Sequence, residues 1–302
     1  MKFNRFFLII FGLVVTCSHD LFSQTQQIAN EILVSTEWLE ENLTDPLMVV
    51  LHYGNKAEFE KEHIPGARHV SVRELMVDHE QGLRHELPEE QKIAQVLRSW
   101  GINTNSIIVI CYDNENAIPM ATRLYFTMDY AGLAGQVAIL NGGLTAWKSE
   151  ERSMTQSATA FKEGNIEIKI KKEVLIYRDE ILANLDNDLV TIVDARPEEQ
   201  YSGKKKDHNS IRKGHIEGAI NIPFSLLTTE DSPHLFKTKD DLRTLFEDHN
   251  IQAGSTIITY CGSGIWASPV YFAFRLLGYK VRFYDGSFQE WGNDESLPIQ
   301  SK

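Results

Sequence analysis

The 302 residues are 42% hydrophobic and 24% charged, and at roughly 100–200 residues per domain they predict two globular domains. A formal net charge of -12 argues against nucleic acid or an anionic membrane surface as partner, because phosphate backbones are held by clustered Lys and Arg. Three cysteines, Cys17, Cys111 and Cys261, are too few for a disulfide framework.

At the N-terminus, Lys2 and Arg5 precede an apolar run from Phe6 to Val15 that is too short to span a bilayer. Polar sequence follows, so residues 1–23 read as a secretory signal peptide. Cleavage after Ser23 would release a soluble periplasmic or secreted protein; lipidation of Cys17 would instead anchor a lipoprotein and give it a membrane contact. Thr16 is a poor residue before a lipidation site, which favours soluble export.

The remainder is written twice. "EHIPGARHV" at 62–70 recurs as "GHIEGAINI" at 214–222, "IIVICYD" at 107–113 as "TIITYCG" at 256–262, and "LNGGLTAW" at 140–147 as "YDGSFQEW" at 284–291. Residues 31–150 and 175–298 are therefore two copies of one domain, joined by a polar linker over 151–174 that ends in a short alternating stretch. His63 and His215, like Trp147 and Trp291, occur in both copies, which assigns them to structure.

In the second copy, "LVTIV" at 189–193 and "STIITY" at 255–260 are short, β-branched and continuously apolar, as strands buried on both faces are. "SPVYFAFRLLG" predicts a helix with Ser268 as N-cap, Pro269 at its first position and a stop at Gly278. Strands alternating with helices imply an α/β domain with a parallel sheet covered on both faces, whose ligands lie at the carboxyl ends of the strands. Cys261 is at such an end.

Gly262 and Gly264 let the turn after Cys261 curl so that several N–H groups face one point, and the following helix adds partial positive charge. Such a cradle favours an anion, so Cys261 is expected as a nucleophilic thiolate. The bland alternative is a packing cysteine beside a tight turn. Against it, the first copy carries Asp113 at the matching position and lacks the glycines. Cys111, inside "IIVICYD", reads as a small buried apolar group. A phosphate-binding Cys-x5-Arg loop is excluded because the sixth residue after Cys261 is Ala267.

"HIPGA" and "HIEGA", "VDARP", "YCGSGIWAS" and the closing "DG" before Trp291 together resemble the two-domain rhodanese-type sulfurtransferases, across nearly the whole chain after residue 30. The resemblance implies two tandem rhodanese-like domains, the first catalytically silent, with Asp113 where a nucleophile would stand. It implies that Cys261 takes sulfur from a small anionic donor as a persulfide, cradled by Gly262, Gly264, Ile265, Trp266 and Ala267, and passes it to a thiol or cyanide acceptor. No metal or organic cofactor is implied. Thiosulfate users of the family carry cations after the cysteine; "CGSGIWA" has none and is similar to the 3-mercaptopyruvate users, in which a serine matching Ser263 assists proton transfer. His85, in "HELP", resembles a histidine that reaches across from the silent domain, although a solvated loop histidine is the plainer reading.

Three departures stand out. Arg73 replaces an expected aspartate, Trp266 a small threonine, and Gln200 a substrate-binding arginine. Gln cannot make the charged, bidentate contact of a guanidinium. Lys204, Lys205, Lys206, Arg212 and Lys213 are candidate substitutes or else a solvated loop. Arg196 in "VDARP" either braces the loop over the site or touches substrate. Gln200 also keeps open a second function, a sulfur carrier or binding module that receives persulfide from a partner protein without turnover.

Overall fold

The computed structural model describes residues 31–77, 83–252 and 254–301, so the signal-peptide reading and Cys17 fall outside the described residues. In the first repeat the elements are β1 (Leu33–Val34), α1 (Thr36–Asn42), β2 (Met48–Tyr53), α2 (Lys56–Lys61), β3 (Arg68–His69), α3 (Glu90–Ser99), β4 (Ile107–Tyr112), α4 (Ile118–Tyr130), β5 (Val137–Leu140) and α5 (Gly143–Ser149). All its strand pairs are parallel, in the order β1-β5-β4-β2-β3. Every residue of the central strand β4 is buried, which is why "IIVICY" is apolar without alternation.

The second repeat contains α6 (Arg178–Leu182), β6 (Val190–Asp194), α7 (Glu198–Tyr201), β7 (His215–Ile216), β8 (Ile220–Asn221), α8 (Lys239–Asp248), β9 (Thr256–Tyr260), α9 (Ala267–Leu276), β10 (Val281–Phe283), α10 (Ser287–Trp291) and β11 (Ile299–Gln300). Its parallel sheet runs β10-β9-β6-β8. Where β1 closes the first sheet, the second has a single parallel bridge between Leu175 and Phe283. The linker's alternation does not become a ladder strand. The segment lies along the first repeat instead, with Ile166 N–H bonded to Ile102 O and Lys169 N–H to Ala131 O.

The duplicated residues have duplicated roles. His63 and His215 are each 2% exposed, turn Nδ1 to a carbonyl (Phe59, Tyr201) and stack on the same residue's ring. Trp147 and Trp291 are fully buried, their indole N–H groups donating to Ser153 O and Pro298 O. One apolar cluster runs through both repeats where α4 lies against α9 and β10: Tyr125 meets Phe272 edge-on at 4.9 Å and Phe126 stacks on Phe283 at 4.1 Å. A buried polar seam adds to it, with Asp129 taking the Tyr271 hydroxyl at 2.8 Å and facing Arg275 Nε at 2.9 Å.

Helix α9 begins earlier than its sequence suggests. Trp266 is the N-cap, Ser268 lies in the first turn with its hydroxyl on Gly264 O (3.1 Å), and Pro269 is third in the helix, where a missing N–H costs nothing. The expected Ser268 cap is thus corrected: the curled loop itself supplies the start. The stop at Gly278 holds, with φ +79° just beyond the C-cap Leu277.

Candidate active site

Cys261 follows β9 at the carboxyl edge of the sheet, and its sulfur faces the backbone N–H groups of Ser263, Gly264 and Ala267. Both loop glycines sit in tight surroundings, and Gly264 is held in a left-handed conformation. Gly264 has φ +81°, and a Cβ there would come 3.1 Å from Asp285 Oδ1; at Gly262 a Cβ would meet Asp207 Oδ2 at 2.5 Å. Gly262, Ile265 and Trp266 line the cavity in front of the sulfur.

The ionised resting thiol expected from the loop is corrected. Cys261 is 2% exposed, and burial raises its pKa above the ordinary thiol value, outweighing the lowering by the amides of Ser263, Ala267 and Gly264. The cradle is suited to an anion that forms during reaction, and the resting sulfur keeps its proton. Cys111 lacks even that: fully buried in β4, its thiol is pushed far up by burial.

An imidazole–hydroxyl pair lies beside the loop. His85 Nδ1 stands 3.1 Å from Ser263 Oγ, across the domain boundary. Burial first, then the charges of Arg84 and Arg123, hold this imidazole below its ordinary value despite the Ser263 contact, so it is neutral at pH 7. His85 has φ +64°, a left-handed conformation that its surroundings must enforce. Arg123, from the middle of α4, does this. Its Nη2 donates to His85 O at 2.5 Å and its Nη1 to Asp285 Oδ1 at 2.6 Å, with Gly264 O at 3.4 Å. Asp285 Oδ2 accepts Leu87 N–H at 2.7 Å, and the Gln289 carboxamide bonds both N–H and C=O of Arg84. The loop carrying His85 is thus clasped at residues 84, 85 and 87.

The exchange is reciprocal. Asn141, which occupies in the first repeat the place of Asp285, accepts Phe236 N–H at 2.9 Å, and the nearby His234 also has positive φ, +52°. The first repeat, however, has Asp113 in place of a thiol at the matching position. Asp113 accepts His52 Nε2 at 2.7 Å and Asn55 N–H at 2.6 Å. Burial raises this carboxyl, but those two contacts together outweigh it and leave its pKa below the ordinary value. The Asp113 position is closed by these two hydrogen bonds.

The cavity measures about 340 Å³ and is lined from both domains, by Arg73, Arg84 and His85 on one side and by Gln200, Asp207 and the Cys261 loop on the other. Gln200, 9% exposed, has an amide oxygen with no partner. Trp266 forms an apolar wall, 6.1 Å from the Phe224 ring. The expected substrate cations Arg196, Lys205 and Arg212 are absent among the described residues that line the cavity. Arg196 is fully buried, paired with Asp194 at 2.6 Å and donating to Gly214 O, while stacked 3.8 Å over Phe288; it braces the loop. Arg212 donates to the carbonyls of Trp291, Gly292, Asp294 and Leu297 and clasps the C-terminal segment. Lys205 is exposed to solvent.

A parallel α/β unit present twice, with a cysteine in an amide-lined loop of one copy and a tied-down carboxylate in the other, defines a tandem-domain enzyme. The chain belongs to the rhodanese-like family: the rhodanese-like domain model matches residues 35–150 and 177–294. It is 29% identical over 279 residues to the 3-mercaptopyruvate sulfurtransferase of Escherichia coli K12, covering 88% of this chain and 97% of that protein. It is 30% identical over 282 residues to the sulfur carrier protein TtuD of Thermus thermophilus, covering 89% and 96%. The crystal structure of the 3-mercaptopyruvate sulfurtransferase SseA from Escherichia coli superposes with a TM-score of 0.75 at 28% identity, covering 85% of this chain and 98% of that one.

Proposed function

We propose that this sulfurtransferase moves sulfur from a small anionic donor, 3-mercaptopyruvate or thiosulfate, through a persulfide on Cys261 to a thiol or cyanide. The observation that carries the reading is the Cys261 sulfur in its amide cradle with the Ser263–His85 contact beside it. With 3-mercaptopyruvate, Cys261 sulfur attacks the donor sulfur and the donor's C–S bond breaks. The electron pair leaves as the enolate of pyruvate. The proton lost by Cys261 passes through Ser263 and neutral His85 to that enolate, giving pyruvate, and the donor thiol's own proton is released to solvent, leaving a persulfide anion whose charge the cradle amides hold. An acceptor thiolate or cyanide then takes the outer sulfur and restores Cys261.

The loop "CGSG" and the absence of a cation within 261–267 favour 3-mercaptopyruvate over thiosulfate. Residues 1–23 support export to the periplasm or beyond, by cleavage after Ser23 or as a lipoprotein through Cys17; the mass of the mature N-terminus decides between them. Gln200 and the resemblance to a sulfur carrier support a second reading, persulfide received from a partner protein. Donor assays separate the two. Repeated thiocyanate formation from either donor plus cyanide, abolished in Cys261→Ser, supports the enzyme; a stoichiometric persulfide on the Cys261 peptide without turnover supports the carrier and sinks the enzyme.

A further inference from the structure

The domain without a nucleophile supplies the unbalanced positive charge of the cleft. Arg73 stands on the 3-10 turn Val72–Leu75 and Arg84 immediately before His85, and both line the cavity. Their charges reach His85, behind burial in the causes that depress its imidazole. Neither guanidinium has an ion-pair partner among the described residues; Arg84 Nη1 donates to the neutral Asn209 Oδ1 at 3.2 Å. Asp207 is the carboxylate lining the cavity among the described residues, and it is already engaged from its own domain, 3.9 Å from Arg196 Nη1 and accepting Asn209 N–H at 2.9 Å. Among the described residues, the cleft therefore holds two guanidinium cations with no carboxylate paired to them. Facing them is Gln200, nine-tenths buried with an unpartnered amide oxygen.

We propose that Arg73 and Arg84 of the silent domain bind the carboxylate of the sulfur donor across the domain boundary, with the Gln200 carboxamide bonding the polar group next to that carboxylate. The proposal rests on Cys261 being the sulfur acceptor. It specifies a donor whose anionic group is separated from its sulfur by a short carbon chain, as in 3-mercaptopyruvate. A sulfonate bonded directly to the attacked sulfur, as in thiosulfate, would lie within the cation-free loop 261–267 instead of against the opposite wall. A guanidinium pair suits a carboxylate because each presents a planar fork of donors to two oxygens.

The test is steady-state kinetics of the full mature chain with 3-mercaptopyruvate, thiosulfate and, for the wild type, inorganic polysulfide. Arg73→Gln and Arg84→Gln should each raise the KM for 3-mercaptopyruvate about tenfold, with kcat changed far less, and the double variant should raise it about 10²-fold. Arg84→Lys should fall between Arg84→Gln and wild type, and Gln200→Arg should recover part of the loss in the double variant by placing a cation on the facing wall. Thermal midpoints close to wild type certify folding. An unchanged KM in a folded double variant overturns the proposal, and so does an equal rise in the KM for thiosulfate, which would mean that the arginines do not select for the carboxylate. Polysulfide separates the two levels of failure: no persulfide on wild-type Cys261 from any donor sinks the sulfur-transfer reading itself, whereas loading of Cys261 with an unchanged KM sinks the arginine assignment alone.

Discussion

Replacing Arg123 with methionine tests whether the two domains build one active centre. The Arg123 side chain is fully buried and its partner Asp285 only 13% exposed, at 2.6 Å. Truncation would leave a carboxylate largely buried without its counter-charge and free the His85 carbonyl, which now accepts at 2.5 Å. Breaking a buried ion pair by removing one partner costs about 3–5 kcal/mol. Methionine keeps contact with Phe126 and Phe283 but forfeits the cation's placement over those rings, 5.0 and 5.4 Å from their centroids. At roughly 2 °C per kcal/mol for a chain of this size, thermal unfolding followed by circular dichroism should shift down by about 6–10 °C. Turnover should fall on the order of 10²-fold even at temperatures where the variant is folded, because His85 is no longer pinned in its left-handed conformation beside Ser263. A midpoint within 2 °C of wild type would refute the energetic argument. A destabilised variant with wild-type kcat would show that His85 finds Ser263 without help.

Ser263→Ala, which cuts the contact between His85 and the loop, should lower kcat with 3-mercaptopyruvate on the order of 10²-fold and leave KM nearly unchanged; a KM effect alone would make Ser263 a binding residue. Because burial and the charges of Arg84, Arg123 and Arg73 depress the His85 imidazole, the acid limb of kcat against pH should lie below the ordinary histidine value of about 6.5, and a limb above it would contradict the neutral relay. Glu86 should make stability pH-dependent: burial, followed by the charges of Asp285 and Glu290, pushes its carboxyl up to about 7 despite Arg123. A group whose folded pKa is raised stabilises below its unfolded value and loses that contribution as pH rises through the folded one. The melting temperature should therefore decline between about pH 4.5 and 7, and Glu86→Gln should flatten that slope; an unaltered slope would remove Glu86 as its source. Gly264→Ala, forced into φ +81° against Asp285 and Arg123, should distort the cradle and abolish persulfide formation, detected by mass spectrometry of the Cys261 peptide.

The architecture was legible because it is stated twice. Motifs that recur in order, "HIPGA" with "HIEGA" and "LNGG" with "YDGS", pointed to two copies of one unit, and the continuous apolar character of residues 255–260 announced a strand buried on both faces. Cys261 was legible through asymmetry, since glycines and thiol occur in one copy only. The ionisation of that thiol was not, because loop amides are a local property whereas burial is set by everything folded around the loop. The same holds for the cations. Lys205 and Arg212 lie close in sequence to the Gln200 they were expected to replace, yet the cavity receives Arg73 and Arg84, more than a hundred residues earlier. One signal existed for the Arg123 clasp: a lone cation in the otherwise apolar "AIPMATRLYF" marks a charge that must be paired when the helix is buried. Its partner, 162 positions away, was beyond any local pattern.

The traded loops have a consequence for the life of the polypeptide. Synthesis delivers His85 long before Cys261, and the imidazole meets the loop serine only after the later half has closed its sheet and settled against the earlier one. A half-assembled chain thus lacks the imidazole–serine contact beside Cys261, which forms only as a property of the finished molecule.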